Sequence, residues 1–243
     1  MLSKNQIKLI TSLQQKKYRN LNGLFLAEGV KVIEELLNSH FVLEHLYVTD
    51  SKLFKNYSLD KIDLISESEL KKITALSAPN NCLAIFRIPS SEPIEKNGLI
   101  MALDDIRDPG NLGTIMRLCD WFGIKEIVCS NETVDVYNPK VIQATMGSIS
   151  RVRMNYLDLA DFLKKTDLPV YGTFMEGTSI YEEKLPEKGV IVMGNEANGI
   201  SESVKEACTH KISIPRFGEL QKTESLNVAT AAAIILNEFK RPK

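Results

Sequence analysis

Cysteine is scarce and scattered. The 243 residues hold four, Cys82, Cys119, Cys129 and Cys208, with no CxxC pair, and three of them lie inside apolar runs. That distribution suggests neither a disulfide framework nor a zinc site, and suits small buried hydrophobes. Histidine is scarcer still: His40, His45 and His210 all fall outside the glycine-rich turns, so histidine-centred nucleophilic or metal chemistry has no obvious home and no metal is expected. No run approaches the ~18 apolar residues of a membrane span, and the opening MLSKNQIKLI has no signal-peptide core, which makes a cytoplasmic location the expectation. A charge imbalance is also missing. Thirty Lys and Arg stand against 31 Asp and Glu, for a net charge of -1, which argues against an indiscriminate nucleic-acid binder but leaves room for a local basic patch.

The chain is otherwise ordinary globular material, 44% apolar and 25% charged, with length enough for two small domains. RIPSSEPIEKNG, Arg87 to Gly98, concentrates Pro, Ser, Gly and charge between two apolar runs and reads as the linker region. The expected division is residues 1–90, a linker at 91–98, and residues 99–243. The first part alternates short strands (24–27, 43–48, 82–88) with helical patterns (30–38, 67–76), a small α/β domain. Its start carries Lys4, Lys8, Lys16, Lys17 and Arg19 before the first acid, Glu28. That segment suits a phosphate backbone, or else it is the solvated face of a first helix, since Ile7, Ile10 and Leu13 recur at helical spacing.

The second part alternates more strongly. Continuously apolar strands at 99–103, 126–129, 169–172, 190–193 and 211–214 are separated by helices near 111–122, 138–147, 158–165 and 201–208, with a last alanine-rich helix from about 224 to 239. This pattern indicates a parallel sheet covered on both faces, whose ligands bind beyond the carboxyl ends of the strands. Three loops there are unusual. In VIVMGNEANGIS, two glycines stand five apart, almost as in a phosphate-binding P-loop, but Ile200 replaces the lysine and Glu196 puts a negative charge where phosphates would lie. In DDIRDPGNLGTIMRLCDWFG, Pro109-Gly110 suggests a turn and Asn111 an N-cap, with Arg117 on the face of Gly113. In ISIPRFGELQKTESLNVATAAA, a strand ends at Pro215, and Ser225 and Asn227 start the last helix.

Taken together, Asn111-x-Gly-x-x-x-Arg117, Gly194-Asn-Glu196-x-x-Gly199, and Ile214-Pro215 leading to Ser225-Leu-Asn-Val228 resemble the three ordered motifs of the SpoU/TrmH branch of the SPOUT RNA methyltransferases. The likeness covers about residues 100–239, including MGSISRV at 146–152. The first domain, with its basic start and FLAEGVKVIEELL, is similar to the L30e-like substrate-binding domain of that family. The resemblance implies an α/β fold with a deep C-terminal trefoil knot and a mostly parallel sheet. It implies a homodimer that binds S-adenosyl-L-methionine, and RNA, either rRNA or tRNA, as substrate. Carried over by position, Thr173, Gly194, Ile214 and Leu226 meet the cofactor, and Arg117, Asn111, Glu196, Ser225 and Asn227 are catalytic. One departure stands out: RFGELQKTE, between Pro215 and Ser225, is longer than the corresponding loop of the family.

Methyl transfer from a sulfonium to a ribose 2'-hydroxyl is an in-line displacement that calls mainly for positioning. An arginine stays protonated in proteins, so Arg117 suits stabilisation of the developing alkoxide and the grip on an adjacent phosphate rather than proton abstraction. The structural alternatives are plain: Asn111, Ser225 and Asn227 as helix caps, and Arg117 with Glu196 as a salt bridge. Two other functions fit the same motifs, a non-catalytic RNA-binding or ribosome-assembly protein, and a base methyltransferase.

Overall fold

The structure is a computed structural model that describes residues 1–57, 60–218 and 225–242. The chain forms two compact units, Met1–Ser91 with Asp135–Ser150, and Glu92–Val134 with Arg151–Lys243. The expected division places 138–147 with the second domain; in the structure that stretch belongs to the first unit.

The first unit begins with α1 (Lys4–Ser12) and α2 (Lys16–Asn22), followed by β1 (Leu24–Glu28), α3 (Val30–Leu37), β2 (Leu43–Val48), β3 (Ile62–Leu64), α4 (Glu67–Ile73) and β4 (Cys82–Arg87). Reciprocal capping boxes, Ser3 with Gln6 and Ser66 with Glu69, start α1 and α4 by satisfying their first free amides. The sheet order is β1-β4-β2-β3, antiparallel except for β2 with β3. Ile10, Leu13, Leu70 and Ile73 pack on Leu26, Leu83 and Ile85 of the sheet, the apolar face that the helical spacing of Ile7, Ile10 and Leu13 foreshadows.

Of the five basic residues near the start, Lys4, Lys8, Lys16 and Lys17 are exposed, whereas Arg19 is only 2% exposed. Its Nε donates to Asp135 at 2.9 Å, Nη2 pairs with the same carboxylate, and Nη1 donates to the carbonyls of Leu13 and Gln14, each at 2.9 Å. Arg19 is therefore withdrawn from the RNA-facing set. Its charge joins the α1–α2 corner to the Asp135–Ser150 stretch, where the next helix of the unit lies.

The second unit opens with β5 (Leu99–Leu103), α5 (Pro109–Trp121) and β6 (Glu126–Cys129). The chain then supplies α6 (Pro139–Thr145), which packs on β1 within the first unit, and a short 3-10 turn at Ser148–Ser150. It returns as β7 (Arg153–Tyr156), α7 (Leu159–Lys165), β8 (Val170–Ser179), β9 (Gly189–Met193), α8 (Glu202–Lys205), β10 (His210–Ser213) and α9 (Val228–Phe239). The six strands run in the order β10-β8-β9-β5-β6-β7, every neighbouring pair parallel. Ile100, Ala102, Val128, Val190 and Val192 pack with Leu159 and Leu163 of α7 and Val204 of α8. The alternate residues Met101, Leu103, Ile127, Ile191 and Met193 are buried too, as the period of two requires of a sheet covered on both faces.

The expected strands 99–103 and 126–129 coincide with β5 and β6. Two strands have no counterpart in the sequence pattern: β3, whose three residues are all exposed, and β7, whose RMNY lacks apolar alternation. The other departure is β8. His210 and Lys211 of β10 face Tyr171 and Gly172, but the next residue, Ile212, faces Thr178, so residues 173–177 bow out of the ladder. An added Cβ at Gly177 would lie 2.8 Å from the Lys211 carbonyl oxygen, so the point where the strand rejoins requires glycine.

Two outcomes test this packing. Breaking the buried pair with Asp135→Ala is expected to cost about 3–5 kcal/mol in urea unfolding, because it strands a buried guanidinium; a loss under ~1 kcal/mol would mean an exposed pair. The second concerns Glu28, 3% exposed, whose carboxyl is raised above its ordinary value of 4.5 by burial, partly offset by hydrogen bonds from the Thr74 hydroxyl and the Ala75 amide. A raised folded value means that the native state holds this proton more tightly than the unfolded chain. The contribution is thus complete below the ordinary value and is lost as pH rises through the folded one. Glu28→Gln, always neutral, should gain stability relative to wild type as pH rises above the ordinary value of 4.5; a difference independent of pH would contradict this.

Candidate active site

The carboxyl end of the sheet is built from the loops after β5, β8, β9 and β10. After β9 the chain makes a closed turn, Gly194 to Gly199, pinned by paired amide-to-carbonyl bonds of 2.9 Å between Asn195 and Gly199. Gly199 has φ +69°, and a Cβ at Gly194 would collide with the Gly199 carbonyl carbon and the Ile200 nitrogen. Only glycine fits position 194.

The Asn195 side chain fastens that turn to its neighbours. Oδ1 accepts from the amides of Ala197 (2.9 Å) and Asn198 (3.0 Å), while Nδ2 donates 2.7 Å to the Asp105 carbonyl oxygen. A second tie runs from the Ser201 amide to Oδ2 of Asp104, 2.7 Å, a carboxylate only 5% exposed. Asp105 itself has φ +58°, the left-handed region that non-glycine residues avoid, and its amide donates 3.0 Å to the Ser130 hydroxyl. Its carboxylate takes the Arg107 Nε at 2.8 Å and holds that guanidinium above the usual arginine value.

Asp108, not Asn111, caps α5: Asp108 Oδ1 accepts from the Asn111 amide at 2.7 Å, and Pro109 and Gly110 form the first turn of the helix rather than a separate bend. The reason lies in Pro109, whose fixed φ and missing amide favour the first helical position, so the cap falls on the residue before it. The Asn111 side chain is thereby free for other work. Its Nδ2 donates 2.6 Å to Oε1 of Glu196, and its Oδ1 accepts from Asn227 Nδ2 at 2.9 Å. Asn227 also caps α9, taking the amides of Ala229 and Thr230 at 3.0 and 3.2 Å. Three residues from three separated motifs thus meet in one chain of hydrogen bonds.

Of these three, Glu196 lines a cavity of about 1250 Å³, together with Thr173, Gly194, Ile214, Ser225 and Leu226 among others, with Ile180, Ile212, Val228 and Ile235 supplying apolar wall. The Thr173 hydroxyl donates 2.8 Å to the Val192 carbonyl, so it holds β8 to β9 where β8 begins to bow out. Arg117 is exposed on α5 and has no hydrogen-bond or ion-pair partner among the described residues. The alternative pairing of Arg117 with Glu196 is not formed; Glu196 is engaged by Asn111 instead. In the long loop, Arg216 and Gly218 line the cavity, and the rest of the expected contact region, Glu219 to Glu224, lies outside the described residues. Among the described residues no cluster of three or more His, Cys, Asp or Glu is placed to hold a metal ion.

Asp104, Asp105 and Asn195 belong to this site and are absent from the sequence-derived set. A usable signal exists for Asn195, since Asn after Gly in a polar turn favours just such side-chain-to-amide bonds. Asp104 and Asp105 give none: their roles depend on a loop 90 or more residues away in the chain. If the turn is the wall of a ligand site, Gly194→Ala should abolish S-adenosylmethionine binding measured by calorimetry, with the circular-dichroism spectrum retained. Wild-type affinity in that variant would refute the close-packed turn.

Residues 98–237 match the SpoU rRNA Methylase family, and residues 4–84 match the MRM3-like substrate binding domain. A Bacillus subtilis protein named 23S rRNA (guanosine(2553)-2'-O)-methyltransferase is 31% identical over 98% of this chain and 97% of its own. The structure of a putative RNA methyltransferase of the TrmH family from Porphyromonas gingivalis superposes with a TM-score of 0.92 at 37% identity, covering 99% of both chains. An AdoMet-bound rRNA methyltransferase from Sinorhizobium meliloti superposes with a TM-score of 0.85 at 27% identity, covering 99% of this chain and 96% of that one. With the three motifs joined at one end of a parallel sheet and the match spanning more than half its length, this chain belongs to the SpoU rRNA methylase family.

Proposed function

We propose that this protein transfers a methyl group from S-adenosylmethionine to a ribose 2'-hydroxyl of ribosomal RNA. The observation that carries the reading is the Asn111–Glu196–Asn227 junction, whose Glu196 lines the cavity. Residues from three motifs are held there by one another, which a fold kept only as a scaffold has no need to preserve. The relatives named as rRNA 2'-O-methyltransferases support ribose and rRNA over a base or a tRNA.

The cavity suits the cofactor. Apolar side chains of Ile180, Ile212, Ile214, Leu226 and Val228 can flank an adenine, and Gly194, whose Cβ position is filled by the Gly199–Ile200 backbone, keeps the turn on the cavity wall tightly closed. Thr173 contributes through the backbone it fixes. When bound, S-adenosylmethionine supplies an electrophilic methyl group on sulfur. Arg117 supplies permanent positive charge for the developing alkoxide and its neighbouring phosphate, with its donors uncommitted among the described residues. Glu196, held by Asn111, and Ser225, also on the cavity wall, orient the ribose; Asn227 keeps Asn111 in its rotamer.

The reading extends to the first unit as the RNA-binding part, presenting exposed Lys4, Lys8, Lys16 and Lys17, and is supported by the match of residues 4–84 to a substrate-binding domain. It extends, on family membership, to a homodimer, to the trefoil knot and to the cytoplasm; no described helix is long and apolar enough to cross a membrane.

Incubation with tritiated S-adenosylmethionine and unmodified rRNA transcripts, followed by nuclease digestion, should yield a labelled 2'-O-methylnucleoside. A labelled base, or no label in any rRNA, would overturn the proposal. Arg117→Ala should retain cofactor affinity and lose about 10²–10³ in kcat, the scale for removing one preorganised charge donor.

A further inference from the structure

We propose that Arg107 is a phosphate-binding arm of the RNA site, set in its pose by Asp105. The inference rests on the methyltransferase reading and adds a substrate contact outside the motif residues.

Arg107 lies in the loop between β5 and α5, two residues beyond Asp105 and one before the cap of the helix that carries Asn111 and Arg117. Its side chain is 70% exposed, yet it is not loose: Nε is tied to Asp105 Oδ1 at 2.8 Å. That bond leaves the Nη1 and Nη2 edge without a protein partner among the described residues. A guanidinium with its two terminal nitrogens free offers the planar fork that suits a phosphodiester.

Asp105 is unusually committed to this arrangement. It holds a left-handed backbone, φ +58°, that a non-glycine residue rarely adopts. Its amide donates to Ser130, its carbonyl accepts from Asn195 in the Gly194–Gly199 turn, and only its carboxylate remains to hold Arg107. Residues kept in such backbone regions concentrate at functional sites. A glycine would meet every backbone demand at position 105 without strain, so the carboxylate is the part of Asp105 that the loop's own geometry leaves unexplained. The arm is therefore fastened to the same residue whose carbonyl braces the turn bearing Glu196, which fixes it relative to the reacting ribose.

The experiment compares wild type, Arg107→Ala, Arg107→Lys, Asp105→Gly and the Arg107→Ala/Asp105→Gly double variant in the full chain. RNA affinity is read by filter binding of an rRNA transcript across a salt series, cofactor affinity by calorimetry, and turnover separately. Arg107→Ala should weaken RNA binding about tenfold and lower the slope of log affinity against log salt by about 1, as loss of one phosphate contact requires. Arg107→Lys should restore the slope but only part of the affinity. Asp105→Gly, which keeps the arginine and relieves the backbone, should weaken RNA binding by less than Arg107→Ala, and the double variant should bind no worse than Arg107→Ala alone. Cofactor affinity should be unchanged in Arg107→Ala and Arg107→Lys. Unchanged affinity and slope in Arg107→Ala, or additive losses in the double variant, would overturn the inference. A loss of cofactor affinity instead would mark Arg107 as a structural tether and overturn it too. Because RNA binding is read without turnover, a wild type that binds rRNA but does not methylate it refutes the methyltransferase reading while the role of Arg107 in holding RNA still stands or falls on its own binding data.

Discussion

The candidate site of the second unit depends on one side chain that is itself outside the catalytic candidates. Asn195 closes the Gly194–Gly199 turn with its oxygen and reaches the Asp105 carbonyl with its nitrogen. A neutral amide is the residue that can do both, since it carries an acceptor and two donors on one planar group. An aspartate would keep the turn and lose the bond to Asp105; a lysine would do the reverse. Glycine at 194 and 199 then follows from how tightly the chain must fold back on itself, and the buried Asp104 carboxylate secures the exit of the turn at Ser201. The resemblance to a phosphate loop is therefore superficial. A P-loop aims its amides at a ligand, whereas here the amides of residues 195, 197, 198, 199 and 201 are all engaged by protein oxygens.

Much of this unit is legible in the sequence because parallel strands buried on both faces give continuous apolar runs. Leu99–Leu103 and Glu126–Cys129 end where composition says they should. What escapes is whatever depends on a partner elsewhere. Strand β7 is half-buried along its length and is held by neighbours that sequence does not reveal, with Arg153 bonded to Glu126 on β6 and to Glu92 and Glu95. The helix at 139–145 is legible as a helix but not as a member of the first unit, because periodicity reports which face is apolar and not which core receives it. The candidate site divides the same way. Its catalytic candidates are visible through motifs, but their bonding and the bracing residues Asp104, Asp105 and Asn195 are not: in sequence Asn111 looks like a cap, and Glu196 like a partner for Arg117.

Arg19 shows the corresponding weakness of reading charge from sequence. A basic segment without acids suggests a surface for RNA, and four of its five cations are on the surface. The fifth finds its counter-charge at Asp135, 116 positions away, where burial turns a solvated cation into a fixed joint. Such a pair is costly to break rather than strongly stabilising to form, since desolvation of both ions offsets most of their attraction. Its value is in specifying one arrangement: Arg19 fixes the α1–α2 corner and the start of the Asp135–Ser150 stretch together.

The same distinction between charge and hydrogen-bond direction explains why the candidate catalytic junction uses asparagines. Asn111 must donate to Glu196 and accept from Asn227, and Asn227 must donate to Asn111 while its own oxygen accepts two amides of α9. Each amide orientation is thereby fixed by its neighbours at both ends. An aspartate at 111 would set two carboxylates 2.6 Å apart, and each would resist ionisation in the presence of the other. With a neutral linker, the glutamate is held in its rotamer by a donor, and Arg117, on the same helix as Asn111, stays uncommitted among the described residues. Positioning is then built into the protein before RNA arrives, which is where a displacement reaction between two bound partners gains most of its rate.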